Sequence, residues 1–101
     1  MGKLSDLAVQ RMLNSTEIGY WITPTYKVKL YGFLEKNRDL YVYCTYDNYT
    51  GNCTAYQLKV QYTKQGMAYI VVHNRRVHLK NMLSVHPDKL PIKYRHLFYG
   101  V

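Results

Sequence analysis

Two cysteines, four histidines and twelve tyrosines are the side chains of this 101-residue chain with the widest chemical reach. His73 and His78, facing one way on a sheet, could hold a metal ion or pass a proton in an RNase-like acid–base pair. The strand registers make them diagonal neighbours, at a backbone separation of about 7–8 Å. Arg75 and Arg76 stand beside them and repel a cation, and no third ligand is at hand, so no metal is expected. The acidic residues are Asp6, Glu17, Glu35, Asp39, Asp47 and Asp88, and none form a spaced pair of the kind that glycosidase or nuclease chemistry needs. Glycine motifs that cradle phosphates or dinucleotides are absent, as is a nucleophile elbow. The chain reads as a non-enzyme without a cofactor.

Charge and tyrosine point instead to binding. The formal net charge is +8, which favours an acidic partner, although a basic surface also serves plain solubility. Tyrosine can stack on a base or fill an interface while its hydroxyl stays wet. Rows across one sheet face are expected to run Phe33, Tyr43, Gln57, His73, Arg76, then Glu35, Tyr41, Lys59, Val71, His78, then Gln61, Tyr69, Lys80, with Tyr31 at one end. Rings set among cations are what single-stranded nucleic acid needs: π-faces for bases, positive charge for phosphates. The candidate nucleic-acid-binding residues are Tyr41, Tyr43, Lys59, Tyr69, His73, Arg75, Arg76, His78 and Lys80. The blander account is that aromatics are good strand formers and that this face is covered too. A second function class is a small accessory or inhibitor protein of the phage or mobile-element type, docking on an acidic host protein or ribonucleoprotein through Tyr and Arg.

The elements that must position these residues follow from periodicity. A helix is expected over residues 4–13, capped by Ser5, with Asp6 in its first turn and Ala8, Val9, Met12 and Leu13 on one apolar stripe. Residues 14–26 are irregular, with Tyr20-Trp21-Ile22 able to pair as a brief strand. From 27 to 80 the alternation has period two and predicts strands at about 27–36, 40–48, 52–63, 67–73 and 76–80. Lys64-Gln65-Gly66 and Tyr49-Thr50-Gly51 are three-residue loops with glycine at the left-handed position. The first pairs Tyr62 with Ala68, Val60 with Ile70 and Leu58 with Val72; the second pairs Cys44 with Tyr56, Val42 with Leu58 and Leu40 with Val60. A two-residue Asn74-Arg75 turn pairs Val72 with Val77 and Ile70 with Leu79. For the first hairpin, a three-residue Asn37-Arg38-Asp39 loop is preferred to a two-residue Asn37-Arg38 loop because it sets Leu34 against Val42 on one apolar face.

The fold expected is therefore α+β and mainly β, in one domain over 1–101: an N-terminal helix, then a five-strand antiparallel meander. The helix covers the apolar face, or the sheet curls into a small barrel; helix-then-five-strands resembles Sm-like and other SH3-like barrels in element order, without any of their motifs. Pro91 starts a short helix through Phe98, in a tail that docks through Tyr94, Leu97 and Phe98. Register puts Cys44 inside and Cys53 outside, too far apart for a disulfide. Free thiols, the lack of a signal-peptide core in MGKLSDLAVQ and the lack of a long apolar run point to a cytoplasmic protein that meets no membrane. An edge strand could pair two copies into a homodimer.

Overall fold

The computed structural model describes residues 2–3, 7, 10–11, 14, 17–51, 53–83, 85, 88 and 90–99. Its strands are β1 (Gly2–Lys3), β2 (Gly19–Ile22), β3 (Lys27–Lys36), β4 (Asp39–Asp47), β5 (Cys53–Lys59), β6 (Gln61–Tyr62), β7 (Ala68–Val72) and β8 (Arg75–His78). They form two antiparallel sheets, ordered β1-β5-β4-β3-β2 and β6-β7-β8. Single 3₁₀ turns at Leu79–Asn81 and Ile92–Tyr94 and one short helix, α1 (His96–Tyr99), complete the described elements.

The single five-strand meander is thus corrected to two sheets, and they do not close into a barrel. The strand expected over 52–63 breaks at Val60. Up to Lys59 it pairs with β4; Val60 N–H then donates to the Leu40 carbonyl at 2.8 Å, and only Gln61 and Tyr62 pair with β7. The Lys64-Gln65-Gly66 loop forms as predicted, with Thr63 N–H donating to Met67 O at 2.9 Å and Gly66 at φ +82°. Pairs Val60–Ile70 and Leu58–Val72 do not form, because the strands splay beyond Gln61. The physical reason is burial. A flat meander leaves its apolar face to water, whereas two sheets sharing one core bury both faces. Val28, Leu30 and Val42 of the first sheet and Ile70, Val72 and Val77 of the second belong to one cluster, each no more than 2% exposed. Each such side chain contributes roughly 1.5–3 kcal/mol when fully buried.

The expected helix over 4–13 is not among the described elements; of that stretch only Leu7, Gln10 and Arg11 are described, and the rest lies outside the described residues. The brief strand at Tyr20-Trp21-Ile22 is real, as β2 along β3. At its start, Tyr20 and Leu83 exchange backbone hydrogen bonds of 3.1 and 2.6 Å, joining the edge of the first sheet to the chain beyond the second. Gly19 permits this approach: a Cβ there would stand 2.9 Å from Val85 Cγ2 and 3.1 Å from Leu83 O.

The first hairpin takes the two-residue Asn37-Arg38 turn, with both residues at positive φ (53° and 67°), and sets Leu34 against Tyr41. The preferred three-residue loop is therefore wrong. A bulge between Leu30 and Gly32 restores the phase, so Leu30 opposes Cys44 while Phe33 opposes Val42. That bulge puts Phe33 on the core side, with Glu35 on the same face at its exposed rim, and Leu34 on the outer side, the reverse of the expected rows. Phe33 meets Tyr94 at 4.6 Å and Phe98 at 5.9 Å between ring centres, which docks the C-terminal segment as anticipated. Tyr94, Leu97 and Phe98 are buried.

Tyr49-Thr50-Gly51 gives the predicted register, Cys44 against Tyr56 and Val42 against Leu58. Cys44 is buried and Cys53 exposed. The last turn is His73-Asn74 rather than Asn74-Arg75, with φ of 48° and 65°, so Val72 opposes Arg75 and Ile70 opposes Val77. A slip of two residues preserves the inward face, and Val77 and Leu79 stay in the core.

Candidate binding site

The predicted site residues fall into three places. On the outer face of the first sheet, Tyr43 opposes Gln57 and Tyr41 opposes Lys59, as the rows anticipated. The face is not an open platform: Thr45 and Ala55 share it and are only 4% and 9% exposed. Three of its cations are also engaged. Lys59 lies 3.5 Å from Asp39, Lys29 lies 3.5 Å from Glu17, and Lys27 sits 4.8 Å over the Tyr20 ring.

The second group lies on the outer face of the second sheet. Tyr69 opposes His78, with ring centres 5.6 Å apart, and the Arg76 guanidinium lies 4.6 Å from the centre of the Tyr69 ring. Tyr69 is 8% exposed, so a base reaches its ring only by displacing Arg76. Lys80 follows in the 3₁₀ turn, its Nζ 3.6 Å from Met67 Sδ. Arg75 is exposed on the other side of the strand. Its charge lowers the pKa of Tyr26, against the larger effect of burial, which raises it.

His73 forms the third place. It occupies the hairpin turn rather than a row beside His78, so the diagonal histidine pair does not exist. Its ring stacks on Tyr46 at 4.1 Å, and Nε2 is 3.1 Å from the Tyr56 hydroxyl. Behind it the rings continue: Tyr46 to Tyr26 at 5.1 Å, Tyr26 to Trp21 at 5.6 Å. Tyr26 is buried, and its hydroxyl has no hydrogen-bond partner among the described residues.

Between the second and third places, β5 and β7 diverge to leave a cleft of about 560 Å³. Leu58, Val71 and Val72 are its apolar lining, Lys59, Gln61 and Asn74 its polar lining, and Tyr56 and His73 flank the end away from the Gln61–Tyr69 pair. Backbone geometry explains its chemistry. Antiparallel hydrogen-bonded pairs recur every second residue. Val60 bonding Leu40 makes the even residues of β5 face β4, so the N–H and C=O of Lys59 point away from it. Thr63 bonding Met67 makes the odd residues of β7 face β6, so those of Val71 point toward Lys59. Where a continuous hairpin would join Lys59 to Val71, each strand instead presents a donor and an acceptor to the cleft.

Sequence reasoning missed this cleft, because it kept β5 and β7 paired. One signal was present: no Asp or Glu lies between Asn48 and Pro87, a stretch holding Lys59, Lys64, Arg75, Arg76 and Lys80. No group of metal-ligating side chains occurs among the described residues. No described helix is long and apolar enough to cross a membrane. The arrangement is a mainly β domain of two sheets with a cleft between β5 and β7; no protein-family model, curated protein or solved structure matches this chain.

Proposed function

We propose that the chain binds single-stranded nucleic acid, without a reaction of its own, through the second sheet and the cleft beside it. The carrying observation is the acid-free stretch from Asn48 to Pro87. Arg75, Arg76, Lys64 and Lys80 make no ion pair with any described carboxylate, while Lys29, Lys59 and Lys93 do. A field of one sign with no internal counter-charge attracts phosphates and speeds encounter. Of the residues first singled out, Arg75, Arg76 and Lys80 serve as phosphate contacts and His73 serves at the cleft; Tyr41 and Tyr43 lie on the partly covered first sheet and have the weaker case.

A labelled single-stranded oligonucleotide tests this. Binding is expected at low salt, falling as the salt rises with a logarithmic slope of about −0.7 per phosphate contacted. Arg75→Ala/Arg76→Ala is expected to weaken it severalfold. No binding at low salt contradicts the proposal. An acidic protein or ribonucleoprotein is the competing occupant of the same surface, and a partner retained from a nuclease-treated lysate favours it.

A further inference from the structure

We infer that the wedge between β5 and β7 is a nucleobase-binding site, in which one base of a bound single strand inserts edge-on between the two strands. This rests on the nucleic-acid reading and adds to it a place and a readout for the base. The wedge is closed at one end by the paired residues Gln61 and Tyr69 and opens toward Tyr56 and His73. At the closed end the strands stand at one hydrogen-bonded spacing, about 4.8 Å, which leaves no room for a third strand. A peptide strand along the whole slot is excluded on that ground, and β1 already pairs with β5 at Gln57 and Tyr56. A flat ring is not excluded.

The cleft, about 560 Å³, falls within the roughly 300–1,000 Å³ typical of small-ligand sites. Its walls suit a heterocycle: a half-buried aliphatic face from Val71, with the core side chains Leu58 and Val72 at its base, and a π-face from Tyr56 or His73. Its polar groups suit a base edge. Lys59 and Val71 each offer an N–H beside a C=O, and the Asn74 side-chain amide adds a further donor and acceptor at the rim. The Lys59 ammonium stands at the mouth, where its exposed pair with Asp39, at 3.5 Å, is weak enough to exchange for a phosphate. A phosphate-only contact would use none of these wall and edge groups.

The test compares a fluorescent (dT)₁₀ with an abasic oligonucleotide of the same length and charge, against the wild-type chain and Asn74→Gly. Asn74 has φ +65°, which glycine adopts freely, so the variant removes the amide without straining the turn. The base-bearing strand is expected to bind at least tenfold more tightly than the abasic one, and Asn74→Gly to reduce that ratio severalfold. In ¹⁵N spectra, thymidine monophosphate alone is expected to shift the Lys59 and Val71 amides. Equal affinity for the two strands, with those amides unmoved, overturns the inference and leaves the phosphate reading standing. No binding of either strand overturns both.

Discussion

In the first sheet and the segments packed on it, three lysines are matched by carboxylates, Lys29 by Glu17, Lys59 by Asp39 and Lys93 by Glu35, at 3.3–3.5 Å, while Lys27 lies over the Tyr20 ring and Lys36 meets no described carboxylate. In the second sheet and its flanks, Lys64, Arg75, Arg76 and Lys80 meet no carboxylate among the described residues. Burial does not explain the contrast, since both sheets give their inner faces to one core. Nor does stability, because exposed pairs contribute only about 0–1 kcal/mol each. What differs is the field outside the molecule. Paired cations cancel at a distance, and unpaired ones add. Under the proposed function, the second sheet is the charged surface and the first its scaffold.

That division is open to breakage at several strengths. The largest effect is expected in the shared core. Leu30→Ala and Ile70→Ala should each cost about 2–5 kcal/mol, because both side chains are fully buried in one cluster. Urea unfolding should remain a single transition in both variants. Two transitions would show sheets that fold independently. Gly19→Ala comes next, at about 1–3 kcal/mol, because its Cβ would press on Val85 and on the Leu83 carbonyl. Thermal melts read this, and an unchanged midpoint would mean that the Tyr20–Leu83 bridge does not tie the sheets together.

The cysteines probe the scaffold sheet alone. Cys44 is buried and its thiol is pushed up to about 12 by burial, while Cys53 is exposed. A maleimide should modify Cys53 quickly in the folded protein and Cys44 only on unfolding. The raised Cys44 pKa favours the protonated native state. Its contribution is therefore complete below the ordinary thiol range and is lost as pH climbs through it toward about 12. Cys44→Ala should lack that share of the alkaline decline, and an identical decline would place the thiol in water.

The smallest effect belongs to the ion pairs. Asp39→Asn should change stability by no more than about 1 kcal/mol in chemical denaturation. Glu35 behaves in the same weak way: hydrogen bonds from Tyr94 and then Lys93 hold its carboxyl below the usual range. What it contributes is present above the ordinary carboxylate pKa and fades as pH falls through the lowered one. Tyr94→Phe should flatten that part of the acid titration.

How far the sequence carried the fold can be read at its turns. Gly51 and Gly66 sit at positive φ in three-residue loops; the Gly51 register was legible because glycine and alternation gave the same answer, and the Gly66 register held only next to its loop, at Tyr62–Ala68. The first hairpin was not legible, since a bulge at Tyr31 undoes the phase shift that its two-residue turn creates, and a bulge has no fixed residue signature. His73 at φ +48° gave no local warning either, and it carried the histidine pair away with it. The break at Val60 was invisible for a different reason. Val60 is apolar, strand-forming and inward, and only the need to cover both sheets decides which neighbour its backbone serves. The cleft exists because of that break, so Tyr56 and Asn74 could not be picked out beforehand, whereas Arg75, Arg76 and Lys80 could.

The central claim is that position rather than total charge governs binding, and matched charge reversals test it directly. Arg75→Glu/Arg76→Glu on the second sheet and Lys27→Glu/Lys36→Glu on the first change the net charge equally. Both pairs are titrated with a fluorescent (dT)₁₀ across a salt series. The second-sheet variant is expected to lose at least tenfold in affinity at low salt and to show a shallower salt slope, because phosphate contacts are gone. The first-sheet variant is expected to stay within about threefold of wild type, the loss that long-range charge alone produces once salt screens it. Equal losses in the two variants would contradict the account, since the second sheet would then hold no privileged surface.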